Sequence, residues 1–137
     1  MRTTSIIVVL FCATAAVIYF LQKPVTMQHS QPAFPDDENG DVLRRMQASG
    51  DNLDIARDMN FSFAFATQIE ADRFAAAVTA LDYPANASPY QERRMCQVEV
   101  THYMTPTHAA VTHLETRLAK LAGEYGGEAD GWGSFQQ

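Results

Sequence analysis

The residues best suited to chemistry in this 137-residue sequence are Cys96 with His102, the histidines His102, His108 and His113, and a glycine-rich tail. A thiol beside an imidazole would make a nucleophile with its own general base. Cys96 and His102 fall on one predicted strand, however, where six residues span roughly 20 Å. They cannot touch without a bend, and Cys96 reads as a small core residue. Histidines could bind zinc, but His108 and His113 are five apart on a predicted helix, about 140° around it. Neither HExxH nor paired CxxC spacing occurs. The tail Gly126-Gly127-Glu128-Ala129-Asp130-Gly131-Trp132-Gly133 suggests a phosphate cradle by composition. It follows a helix instead of opening one, and it lacks Gly-Lys-Ser/Thr. No carboxylate pair is marked out as acid and base. The expectation is a chain with no catalytic residue, metal, cofactor or small-molecule substrate.

Charge narrows the partner class. The sequence holds 10 basic and 16 acidic residues, and setting aside Arg2 and Lys23, which flank an apolar segment, leaves 8 against 16, a net of -8. Such a domain repels phosphate backbones, so no direct nucleic-acid binding is expected and basic proteins are the better partners. Phe61, Phe63 and Phe65 could stack bases on an open sheet, but no basic residues interleave with them, and they read as core. Arg93-Arg94 is a local basic pair at a loop end, either plain surface or a partner contact. Asn60-Phe61-Ser62 and Asn86-Ala87-Ser88 fit a glycosylation sequon that matters only in a cell with that pathway. Of the two cysteines, Cys12 lies in the apolar segment, so no disulfide framework is expected.

That segment is uncharged from Ser5 to Leu21 and reaches about 19 residues with Thr3 and Thr4, enough to cross a bilayer. A cleaved signal peptide with Ala13-Thr14-Ala15 as its cleavage site is the competing reading. The apolar run continues past that site to Leu21, which favours an uncleaved single-pass anchor over residues 1–23, spanning at 3–22 in a bacterial inner membrane. Arg2 and Lys23 oppose one another, so the side on which the rest lies stays open.

Residues 24–50 read as a proline-rich acidic linker ending in a short helix, with Asp41 as cap, Val42, Leu43 and Met46 on one side, and Gly50 as stop. Residues 59–66 alternate phenylalanines with small residues, the period-two mark of a strand. Thr67-Gln68-Ile69-Glu70 is a capping box opening a helix that presents Ile69, Phe74, Val78 and Leu81. Residues 83–94, with Pro84 and Pro89, fit a loop or edge strand. Residues 95–103 alternate again, Cys96, Val98 and Val100 against Gln97, Glu99 and Thr101. Thr105 as cap and Pro106 as first residue open a helix carrying Val111, Leu114, Leu118, Leu121 and Tyr125, which Gly126-Gly127 ends. An extended segment follows to Phe135. The order predicts an α+β, ferredoxin-like βαββαβ domain over residues 51–137, with two helices on one face of an antiparallel sheet.

The C-terminal residues Leu121-Ala122, Tyr125-Gly126-Gly127-Glu128 and Asp130-Gly131-Trp132-Gly133 resemble the signature of the RraB-type ribonuclease E inhibitor family. Residues 58–65, 74–81 and 98–106 agree with it in order, so the resemblance covers residues 53–135. It implies a ferredoxin-like domain that binds the endoribonuclease RNase E and damps RNA decay without catalysis. Ala129 departs from the family's frequent aromatic, and the family's familiar members lack an N-terminal span. Asp130 and Trp132 thereby join Arg93 and Arg94 as candidate partner contacts, with a turn at Asp130-Gly131 and Trp132 as a core plug the alternative. An inhibitor of RNase E requires the domain in the cytoplasm; a domain outside it would be an interaction or immunity-like module with another protein partner.

Overall fold

The computed structural model describes residues 34–90 and 95–137. The predicted anchor, residues 24–33 of the linker, and Arg93 and Arg94 lie outside them. Among the described residues no helix is long and apolar enough to cross a membrane. The elements run α1 (Glu38–Ala48), β1 (Arg57–Phe65), α2 (Gln68–Thr79), β2 (Ala85–Tyr90), β3 (Met95–Met104), α3 (His108–Glu124) and β4 (Glu128–Gly133). The strands form one sheet in the order β2-β3-β1-β4, every neighbouring pair antiparallel. The predicted order of elements from β1 onward is therefore found, with the proline-bearing β2 at a sheet edge, where a missing N–H costs no ladder bond.

The phenylalanine stripe is the centre of the core. Met59, Phe61, Phe63 and Phe65 are all buried, and they pack with Val98 and Val100 of β3, Ala71, Phe74 and Val78 of α2, and Val111, Leu114, Leu118 and Ala122 of α3. The Phe74 ring lies 5.2 Å, centroid to centroid, from both Phe63 and Phe65. Burying such a ring stabilises by about 2–3 kcal/mol, so both helices are held to the same face by the strand that alternation made most legible.

Helix ends show where local signals succeed and where packing overrides them. At α2 the capping box forms as expected: the Glu70 backbone N–H donates to the Thr67 hydroxyl at 3.3 Å, and the Thr67 N–H donates to the Glu70 carboxylate at 3.0 Å. The buried face, however, is Ala71, Phe74 and Val78. Ile69 and Leu81 are 66% and 47% exposed. Ile69 precedes Phe74 by five residues, about 140° of rotation, and Leu81 lies beyond the last helical turn. At α1 the cap is Asp37 and not Asp41: its carboxylate accepts the Gly40 N–H at 2.8 Å. The helix thus takes in Asn39-Gly40, because the chain doubles back so tightly that a Cβ on Gly40 would stand 1.9 Å from the Pro35 carbonyl oxygen. At α3 the cap is Thr107 and not Thr105, accepting the Ala110 N–H at 3.2 Å. Pro106 is fully buried, which places its ring in the interior instead of the first helical turn.

The end of α3 matches the expected glycine stop, with a separate job for each glycine. Gly126, at φ +83, donates to the Gly123 carbonyl and Gly127 donates to the Ala122 carbonyl, the paired bonds that close a helix through a left-handed residue. Gly127 is needed for space, since a Cβ there would lie 2.2 Å from the Phe65 ring. Gly127→Ala is therefore expected to lower stability by about 1–3 kcal/mol through overpacking. Gly123→Ala, in the last turn of α3 with nothing within 4 Å of the added methyl, should raise it by about 0.5 kcal/mol. Urea unfolding of the two variants checks the contrast.

Candidate functional site

Three of the candidate side chains, Cys96, His102 and His108, each engage a different neighbour. Cys96 stands opposite Phe65 and His102 opposite Met59, six residues apart along β3. The Cys96 thiol donates to the Gln68 side-chain oxygen at 3.3 Å. His102 meets the edge of the Tyr83 ring at 5.2 Å, and His108 Nε2 pairs with both oxygens of Asp37 at 2.9 and 2.8 Å. Among the described residues no three His, Cys, Asp or Glu side chains gather to hold a metal.

The Asp-Gly-Trp-Gly tail is β4, and its conformation depends on a bulge. Ala129 pairs with Phe63 but Gly131 pairs with Ser62, which leaves Asp130 as the extra residue, and Gly131 adopts φ +110. Without the inserted residue, strict alternation would send residue 132 to the face opposite residue 129. With it, Trp132 stands opposite Phe61 and packs against the core. Its indole N–H donates to the Asn39 side-chain oxygen at 2.6 Å, and the Asn39 amide in turn donates to Thr112 Oγ1 at 3.1 Å and Glu115 Oε2 at 2.7 Å. One tryptophan thus links β4, α1 and α3. Asp130 is exposed on the bulge.

Asp37 adds a second tie between α1 and α3. Its carboxyl is held below the ordinary carboxylate range, first by the Gly40 N–H and then by His108. A third node, unsignalled by any sequence pattern, joins the start of β1 to the C-terminal residues. Arg57 and Asp51 form an ion pair with side chains only 3% and 2% exposed. One guanidinium nitrogen reaches both Asp51 oxygens, at 2.7 and 2.9 Å. The same nitrogen also donates to the Phe135 carbonyl, the other Arg57 nitrogens donate to the backbone carbonyls of Asn52 and Ile55, and the Gln137 N–H donates to Asp51 at 3.0 Å. Burial pushes the Asp51 carboxyl up, but donation from Gln137 and Arg57 outweighs it, and the group sits below its ordinary pKa.

The face of the sheet away from the helices has a different character. On it lie Asn60, Ser62 and Ala64 of β1, Gln97 and Thr101 of β3, and the exposed carboxylates Asp58, Glu99 and Glu128. Among the described residues the basic side chains are Arg57, which is buried, and Arg44, Arg45, Arg73, Arg117 and Lys120, all on helices. The uncovered face therefore carries carboxylates and, among the described residues, no exposed base. Beside it a depression of about 350 Å³ is lined by Ala56, Arg57, Asp58, Tyr103, Phe135 and Gln137. Tyr103 and Phe135 are 67% and 85% exposed.

A family model described as regulator of ribonuclease activity B matches residues 36–134. Comparison with curated proteins finds no match. The matched span begins one residue before the Asp37 cap and ends one residue after β4, so it takes in α1 and the whole sheet. With the family pattern covering most of the sequence and every element of the fold just described, the chain belongs to the RraB family, the regulators of ribonuclease activity B.

Proposed function

We propose that the protein regulates a ribonuclease by binding it, with RNase E as the partner, and that it damps RNA decay through protein–protein contact without catalysing a reaction. The family match over residues 36–134 carries this reading. The acidic balance supports it, because an enzyme that handles RNA presents basic segments to which such a surface is complementary. We assign partner contact to Asp130 on the exposed bulge, to the accessible edge of Trp132, and to Arg93 and Arg94. Residues 3–22 anchor the chain in the inner membrane, with the domain on the cytoplasmic side where RNase E would be met.

Affinity capture of the full-length protein from native membranes is expected to enrich RNase E over a control lacking the domain. Capture at control level would overturn the reading. A reporter fused after Gln137 is expected to be active in the cytoplasm; activity confined to the periplasm would instead favour an extracytoplasmic interaction or immunity-like module of the same fold.

A further inference from the structure

We propose that the uncovered sheet face, with the depression at its end, is the surface that takes an arginine-rich segment of a protein partner. One guanidinium seats between Tyr103 and Phe135, beside Asp58. The proposal deepens the regulatory reading above and rests on it for the partner's identity, not for the chemistry of the surface.

Three separate observations converge on that chemistry. The floor of the face is built largely from short side chains, Asn60, Ser62, Ala64 and Thr101, with Gln97 a longer neutral one, and a Thr101-to-Asn60 hydrogen bond of 3.1 Å joins two of them. A chain laid across it meets no bulky obstruction. The charges above that floor have one sign. Glu99 is opposite Ser62, Glu128 is opposite Ala64, and Asp58 lies four residues before Ser62 along β1, about 13 Å at the rise of a strand. All three are exposed, and every exposed base among the described residues is on a helix. At the Asp58 end two aromatic rings stand largely in solvent around one depression, and the Arg57 guanidinium in its wall is already paired with Asp51. An aromatic rim with a carboxylate favours guanidinium over ammonium, because arginine stacks its plane on a ring while it pairs with the acid, whereas lysine is a hydrated point charge. The same charge pattern repels a phosphate backbone.

The test uses the full-length chain in detergent and a fluorescent peptide of alternating arginine and serine, with its lysine counterpart as comparison. The arginine peptide is expected to bind more tightly than the lysine peptide, and both to weaken as salt is raised. Glu99→Lys with Glu128→Lys should weaken binding about tenfold or more, while Asp72→Lys with Glu124→Lys, on the helices, should change it little. Tyr103→Ala with Phe135→Ala should remove the preference for arginine. A thermal melt of each variant verifies folding; should the reversals unfold the domain, Glu99→Gln with Glu128→Gln removes the charge more gently and is expected to weaken binding in the same direction. Equal loss from the helix-side pair, no loss from the sheet-side pair, or binding of a labelled RNA oligonucleotide to the protein alone, with no peptide present, would overturn the proposal. RNase E capture by the same variants separates the two claims. Capture that survives the sheet-side changes sinks the surface and leaves the regulatory reading standing. Peptide binding as expected with no capture of RNase E by the unaltered chain sinks the reading and leaves the surface standing.

Discussion

Asp51→Ala is expected to lower stability by about 3–5 kcal/mol, the cost of stranding a buried guanidinium whose carboxylate has been removed. The Arg57 side chain is only 3% exposed, so it recovers little hydration when its partner goes. Urea unfolding of the variant measures the loss, and a change under about 1 kcal/mol would show that water reaches the site. Replacing both partners with apolar residues, Asp51→Leu with Arg57→Met, should recover only part of it. The carbonyls of Asn52, Ile55 and Phe135 now accept from Arg57, and they would lose their donors. The same node sets the acid response. Because the folded carboxyl sits below its ordinary value, the unfolded chain takes up the proton first as pH falls. The stabilisation is complete above the unfolded carboxylate pKa of about 3.9 and disappears as pH drops through the lower folded value. Asp37 contributes with the same sign. Asp51→Asn should flatten the loss of stability below about pH 4.

Trp132→Ala is expected to cost about 3 kcal/mol, near the lower end for loss of a large aromatic because the ring is half-buried. The informative readout is local. Amide exchange over Glu38–Ala48 should accelerate out of proportion to the global change, since Asn39 loses the donor that fastens α1 to the sheet. Trp132→Phe separates the two contributions: it keeps most of the apolar volume and leaves the Asn39 oxygen unpaired, a cost of about 1–2 kcal/mol. If α1 exchange is unaltered in both variants, the other ties, Asp37 to His108 and Asn39 to Thr112 and Glu115, are sufficient by themselves.

What the sequence made legible was governed by distance along the chain. The phenylalanine alternation of β1, the Thr67–Glu70 box and the Gly126 stop are complete within a few residues, and the structure reproduces each. Caps with rival candidates nearby were harder. Asp37 prevails over Asp41, and Thr107 over Thr105, because the choice depends on what surrounds Gly40 and Pro106 and not on the capping residue itself. The Asp51–Arg57 pair left no pattern at all: its stabilising partners include Phe135 and Gln137, some eighty residues downstream. Trp132 lies between these extremes. Its tail motif was conspicuous, but which face it occupies is set by one inserted residue at Asp130, and Asn39, the partner that fixes it, sits in a stretch that reads as linker.

The central place of β1 between β3 and β4 has a consequence for how the chain is made. The ribosome delivers β1 early, yet β4 begins at Glu128, about 60 residues after Phe65. At synthesis rates of roughly 5–20 residues per second, the phenylalanine strand spends about 3–12 s with one edge unpaired and its apolar face only partly covered. The nascent chain is thus most vulnerable to aggregation in the interval between the emergence of β1 and that of the Asp-Gly-Trp-Gly strand, which closes the sheet.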